Sequence, residues 1–285
     1  MKKEKFTIQD FNVKYLSDEA CLQKVFDKRF GKVKKCPGCQ RSTKFHKITK
    51  RKCYACQFCG YQLHPLANTI FHKSSTSLKN WFYAIYLFST SKNGVSAKEL
   101  ERQLGVTYKC AWRIAKQIRL LFQQSKVKLQ GTVEADETYH GGKGRMKDKG
   151  KKTPIIGIVE RGGAVKATVT ATSKARHVIP LIRKNVKVGT TLMTDSYGAY
   201  NFVNNKEYDH KRINHQKEMY AVGNIHTNTI EGFWSQLKRS INGTFHAVSP
   251  KYLQNYVNEF AYRYNWRNSV VPLFDLILSK AVMPF

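Results

Sequence analysis

Thr132 to His140, TVEADETYH, alternates with the period of a β-strand, yet it carries Glu134, Asp136 and Glu137 among its apolar positions. Acidic residues in an otherwise apolar strand are costly to bury unless they have work to do there. Glu134 shares the face of Asp136 and could assist it, whereas Glu137 should point away. Beyond a basic loop, GGKGRMKDKGKK at 141–152, the segments PIIGIVER (154–161) and AVKATVTA (164–171) read as a hairpin about Gly162-Gly163. A helix follows over 173–185, and then TTLMTD (190–195), a strand that ends on Asp195.

Farther on, NTIEGFWSQLKRS (228–240) changes period. Ile230, Phe233, Trp234, Leu237 and Ile241 recur on one helical face, and Glu231, Ser235 and Lys238 line the opposite one. Asn228 and Glu231 also fit a capping box, with Glu231 folding back on the backbone. Three antiparallel strands, a helix, a further strand and later helices describe an α/β (α+β) domain, a mixed sheet covered by helices as in ribonuclease H-like domains. Asp136, Asp195 and Glu231 would then converge at one edge of the sheet, a set of oxygen ligands suited to hard divalent ions such as Mg²⁺ or Mn²⁺.

Upstream, Cys36-x2-Cys39 faces a second cluster, Cys53, Cys56 and Cys59. Paired CxxC knuckles present thiolates to a tetrahedral Zn²⁺, and the spacing is that of a zinc ribbon. Cys56 and Cys59 are the preferred second pair, since FCGYQL then forms the knuckle turn, with Cys53 as a spare. From Ser77 the pattern is helical, with dense aromatics that read as core. SAKELERQLGVTYKCAWRIAKQIRLLF (96–122) holds two helical segments about Gly105, a helix-turn-helix with a capping box at Ser96 and Glu99. The second helix places Tyr108, Lys109, Arg113, Lys116 and Arg119 outward, as a DNA-reading helix should.

Composition agrees with a polyanionic partner: 50 Lys and Arg against 19 Asp and Glu leave a formal charge of +31, spread along all 285 residues. Lys143 and Arg145 in the 141–152 loop, and Arg239 beside Lys238, join the expected DNA contacts, although that loop also reads as a solvated hairpin tip. MKKEKFTIQDF has no apolar stretch behind its charges, the run Trp81 to Phe88 is too short to span a bilayer, and VVPLFDLIL is broken by Pro272 and Asp275. A cytoplasmic, nucleoid-associated protein without a membrane segment is expected. Five of seven cysteines between residues 36 and 59 favour metal over disulfides in a reducing compartment.

VEADETYHGGK, TDSYGAY and HTNTIEGFWSQLKRSINGTFHAVSPKYLQNYVNEFAYRYNWR together resemble the DDE-type transposases of bacterial insertion sequences, in the group with an N-terminal zinc ribbon. The resemblance runs from about Cys36 to near the end, and its last block is the most specific. It implies that Asp136, Asp195 and Glu231 hold the catalytic metal ions and that Lys238 is the basic residue following the glutamate. Asn228 is a contender for the third position, and Glu259 a weaker one. Asn68 where the family usually has Gly, and the extra Cys53, are departures. The expected domains are 1–72, lead-in and zinc ribbon; 73–127, helix-turn-helix; and 128–285, the ribonuclease H-like catalytic domain. The resemblance further implies terminal inverted repeats and target DNA as partners, and a homodimer or larger multimer. A nuclease of the same fold without strand transfer, or a non-catalytic DNA-binding regulator, are the alternatives.

Overall fold

The computed structural model describes residues 5–141, 152–213 and 226–284, and divides into two compact units, Met1–Leu121 with Asn268–Phe285, and Phe122–Arg267. The first begins with helices α1 (Ile8–Lys14) and α2 (Asp18–Phe30). Phe26 of α2 stacks on Tyr54 at a centroid distance of 3.9 Å, which anchors a small antiparallel sheet of β1 (Phe45–Lys47), β2 (Tyr54–Cys56) and β3 (Gln62–Leu63). α3 (Leu78–Thr90) is capped by Ser77 and buries Trp81, Phe82 and Phe88, as its aromatic density predicts. α4 (Ala97–Leu104) and α5 (Tyr108–Leu120) pack as a pair about Gly105, whose φ of +62° is the left-handed conformation that glycine adopts without a Cβ penalty. Ser96 caps α4, but the capping box is only half formed, because Glu99 turns its side chain to Arg102 and Gln103.

The second unit is built on a five-stranded sheet. Its strands are β4 (Thr132–Gly141), β5 (Lys152–Glu160), β6 (Val165–Val169), β7 (Thr191–Asp195) and β8 (Asp209–Ile213), in the order β6-β5-β4-β7-β8. The first three pair antiparallel, and β7 joins β4, and β8 joins β7, in parallel. This is the mixed ribonuclease H-like arrangement, with one strand more than the sequence shows. β8, DHKRI, lies at the outer edge with most side chains in solvent, so no apolar alternation betrays it.

α6 (Ala175–Asn185) covers one sheet face, where Val178 and Ile182 meet Val133, Ala135, Ile158 and Leu192. α7 (Asn228–Ser240) and α8 (Pro250–Asn265) cover the other; Ile230, Phe233, Trp234, Leu237 and Ile241 form one core cluster with Ile155, Val159, Leu253 and Phe260. The helical face read from the sequence is thus the buried one. The capping box expected at Asn228 is not formed: the N-cap is Thr227, and no side chain of its own segment caps the helix.

α9 (Leu273–Ala281) returns to the first unit and packs on α3. Phe274 stacks on Phe6 and meets Tyr15 and Phe82. Asn268–Phe285, with α9, falls in the same compact unit as Met1–Leu121. No helix of the described residues is long and apolar enough to cross a membrane.

Candidate functional site

In the ribbon, two tight turns present four sulfurs. The backbone N–H of Gln40 bonds to Cys36 O, and that of Gly60 to Cys56 O, so the knuckles are equivalent turns with Gln40 and Gly60 both at positive φ. Gly38 N–H and Phe58 N–H point at the Sγ of Cys36 and Cys56. Cys36 Sγ lies 3.6 Å from Cys59 Sγ, and Cys39 Sγ lies 3.9 Å from Cys56 Sγ. A tetrahedral zinc bound at about 2.3 Å holds its sulfurs about 3.8 Å apart, so the donor set and its spacing fit Zn²⁺. Cys53 stands outside the set, buried, with its thiol toward Gln62 Oε1.

On α5, Tyr108, Lys109 and Arg113 are exposed and Lys116 is half-buried, its ammonium over the Trp112 ring. Arg119 departs from the expected outward set. It is 4% exposed, donates to Val95 O at 2.9 Å and lies over the Phe88 ring, so it serves the core. Lys143 and Arg145 fall outside the described residues.

The acidic site is a product of sheet register. Ala135 pairs with Thr194 across the parallel β4–β7 ladder, so the next residues, Asp136 and Asp195, stand abreast where β7 ends beside the middle of β4. Asp136 lies on the central strand β4, and Asp195 at the end of its neighbour β7. Glu231 comes from the first turn of α7, above the same face; its carboxylate is exposed and accepts from Thr227 Oγ1 at 2.9 Å. Burial, and then the charges of Asp195 and Glu231, push Asp136 up to about 6. The carboxylates stand farther apart than the ribbon sulfurs, which are the only donor group among the described residues drawn within 4.8 Å. Like charges with no cation between them repel. Such acidic oxygens fit hard divalent ions.

Lys238 and Arg239 are exposed near the end of α7, and Lys238 helps line an open depression with Tyr139, His140 and His246. Asn228 is exposed and opens the helix. Glu259 is fully buried in α8, with its carboxylate held 2.8 Å from Arg263 Nη2.

Three neighbours adjoin the acidic residues, of which only Glu134 was expected from the sequence to assist Asp136. Trp234 Nε1 donates to Asp136 Oδ2 at 3.0 Å, although its ring is core. It can do so because Gly157, paired with Asp136 on β5, leaves its place free; any Cβ there would collide with the indole. An isolated glycine inside the apolar run PIIGIVE was the available signal. Glu137 points to the opposite face, as alternation requires, and accepts from the buried Tyr200 hydroxyl at 3.1 Å. Burial, with Asp195 and Asp136 nearby, raises Glu137 to about 7. Glu134 is wholly buried beneath the start of α7, where His226 is also tied in through Arg161.

Residues 128–265 match the family described as the ISXO2-like transposase domain, and residues 16–62 match the transposase zinc-ribbon domain. An uncharacterized protein in transposable element ISH50 of Halobacterium salinarum is 24% identical over 252 residues, 80% of this chain and 84% of that protein. An uncharacterized transposase-like protein of Haemophilus influenzae is 30% identical over 105 residues, 37% of this chain and 82% of its own length. Among solved structures, the catalytic core domain of HTLV-2 integrase in complex with magnesium is similar at 14% identity, with a TM-score of 0.31, over 54% of this chain and 99% of that one. The transposase-domain match spans β4 to α8 and all three carboxylates, while the ribbon match takes in the four clustered cysteines, and on these grounds the chain belongs to the ISXO2-like transposases of insertion sequences, those with a zinc ribbon ahead of the transposase domain.

Proposed function

We propose that this transposase binds the terminal inverted repeats of its element, cuts them in a reaction dependent on Mg²⁺ or Mn²⁺, and joins the freed 3′ ends to target DNA. The observation that carries this reading is the alignment of Asp136 and Asp195 on adjacent parallel strands with Glu231 on the helix above them. Asp136, Asp195 and Glu231 would hold the divalent ions. When bound, the ions supply Lewis-acid stabilisation of the phosphodiester and a lowered pKa for the attacking water or 3′ hydroxyl. Trp234 Nε1 holds Asp136 through Oδ2. Lys238, two turns from Glu231 on the exposed stripe, would hold a phosphate of the element end.

Tyr108, Lys109, Arg113 and Lys116 on α5 would contact the end DNA, joined by Arg239 and by Lys143 and Arg145 of the 141–152 loop. The Cys36, Cys39, Cys56 and Cys59 thiolates would hold a structural Zn²⁺. We further assign the helix pair to end recognition, the Phe122–Arg267 unit to catalysis, and the active form to a dimer or larger multimer on paired ends in the cytoplasm, at the nucleoid.

The test is incubation with the element's own flanking DNA and Mg²⁺, with EDTA as control. Cleaved and joined products are expected; cleavage without joining would identify a nuclease, and binding without metal-dependent cutting a regulator. Asp136→Asn should abolish cutting and spare end binding, and retained cleavage would refute the metal triad.

A further inference from the structure

A fully buried carboxylate with no role so far lies two residues from Asp136 on the same strand face: Glu134. Its Oε2 accepts the backbone N–H of Thr229 at 2.9 Å and of Ile230 at 3.0 Å; its Oε1 accepts Thr229 Oγ1 at 2.8 Å and Arg161 Nε at 2.7 Å. His226 Nδ1 stands 3.3 Å away and 2.9 Å from Arg161 Nη2, and since a guanidinium only donates, that nitrogen accepts. Thr227, the residue at the N-cap position, makes no capping bond and gives its hydroxyl to Glu231. Two first-turn amides of α7, those of Thr229 and Ile230, are therefore satisfied from a strand 95 and 96 residues upstream in sequence, by a charge placed where the helix dipole favours it.

From this geometry we infer that Glu134 is a positioning residue that fixes Glu231 relative to Asp136. β4 grips α7 twice: Glu134 holds Thr229 and Ile230, and Asp136 holds Trp234. Glu231 sits between the two grips, so its backbone cannot slide along the strand without breaking one of them. A metal site needs its ligands placed to within a fraction of an ångström, and a short flexible cap within the helix's own segment would not tie it to the sheet. Arg161, also bonded to His226 O at 2.8 Å, extends the brace to the residue that leads into α7.

This inference rests on the proposed metal triad, and its test separates the two. Mn²⁺ is titrated by calorimetry into the full chain, wild type beside Glu134→Gln, Thr229→Val and Asp136→Asn, with the Mn²⁺ dependence of end cleavage measured in parallel. Glu134→Gln places an amide donor against donors, and its Mn²⁺ affinity should fall about 10- to 100-fold. The Mn²⁺ concentration for half-maximal cleavage should rise in step, with partial rescue at high Mn²⁺. A purely structural loss would lower the amount of active protein and leave that midpoint in place. Thr229→Val keeps the charge and both backbone bonds and should move the midpoint the same way by less; it decides the matter if Glu134→Gln does not fold. An unmoved midpoint in the folded variant overturns the role of Glu134. Wild-type Mn²⁺ binding by Asp136→Asn would instead overturn the triad itself.

Discussion

Asp136 is the residue on which charge, packing and chemistry press hardest. Its carboxyl is raised to about 6 by burial and by Asp195 and Glu231, against an ordinary value near 3.8. Between those two values the metal-free folded chain binds more protons than the unfolded one, so stability falls as pH rises through that window and is lowest above it. Asp136→Asn should therefore stabilise the metal-free protein at pH 8, by at most about 3 kcal/mol, and flatten its pH dependence between pH 4 and about 7. Melting temperatures in EDTA across pH would check this; a lower melting temperature for the variant at pH 8 would contradict it. The same spot is sensitive to volume. Gly157→Ala must displace the Trp234 ring, costing about 1–3 kcal/mol and the indole bond to Asp136, to be read as a lower denaturation midpoint together with slower end cleavage.

Helices and knuckles make separable predictions at the scale of elements. Arg113→Ala, on the exposed side of α5, should weaken end binding and reduce the salt dependence of binding by about one phosphate contact, without loss of stability. Arg119→Ala, six residues on, should do the reverse: a loss of about 1–3 kcal/mol from its bond to Val95 O and its place over Phe88, with end affinity kept in the folded protein. In the ribbon, Cys59→Ser should lose the zinc and Cys53→Ser should keep it, measured as zinc content of the purified chains.

At the scale of the whole molecule, the chain leaves its first unit at Leu121 and returns to it at Asn268. Phe274→Ala should cost that unit about 3–5 kcal/mol, through lost contacts with Phe6, Tyr15 and Phe82, although the residue lies beyond the transposase-domain match. Chemical denaturation followed by fluorescence would detect it, and a wild-type midpoint would show that the returning helix is dispensable. The elements around the site were legible because period is local: alternation marks β4, a helical stripe marks α7, and knuckle spacing marks the ribbon. So were the residue types that the proposed chemistry needs, Asp136, Asp195, Glu231 and the four cysteines. Register, helix docking and chain return were not legible, because they depend on partners far along the chain. Only the tertiary structure sets Asp136 beside Asp195, lets Trp234 lie over Gly157 and gives the cap of α7 to Glu134 in one unit, and buries Arg119 and packs α9 on α3 in the other. A sequence carries its periodicities within a dozen residues, whereas a buried charge or a close contact is decided by whichever distant backbone arrives to meet it.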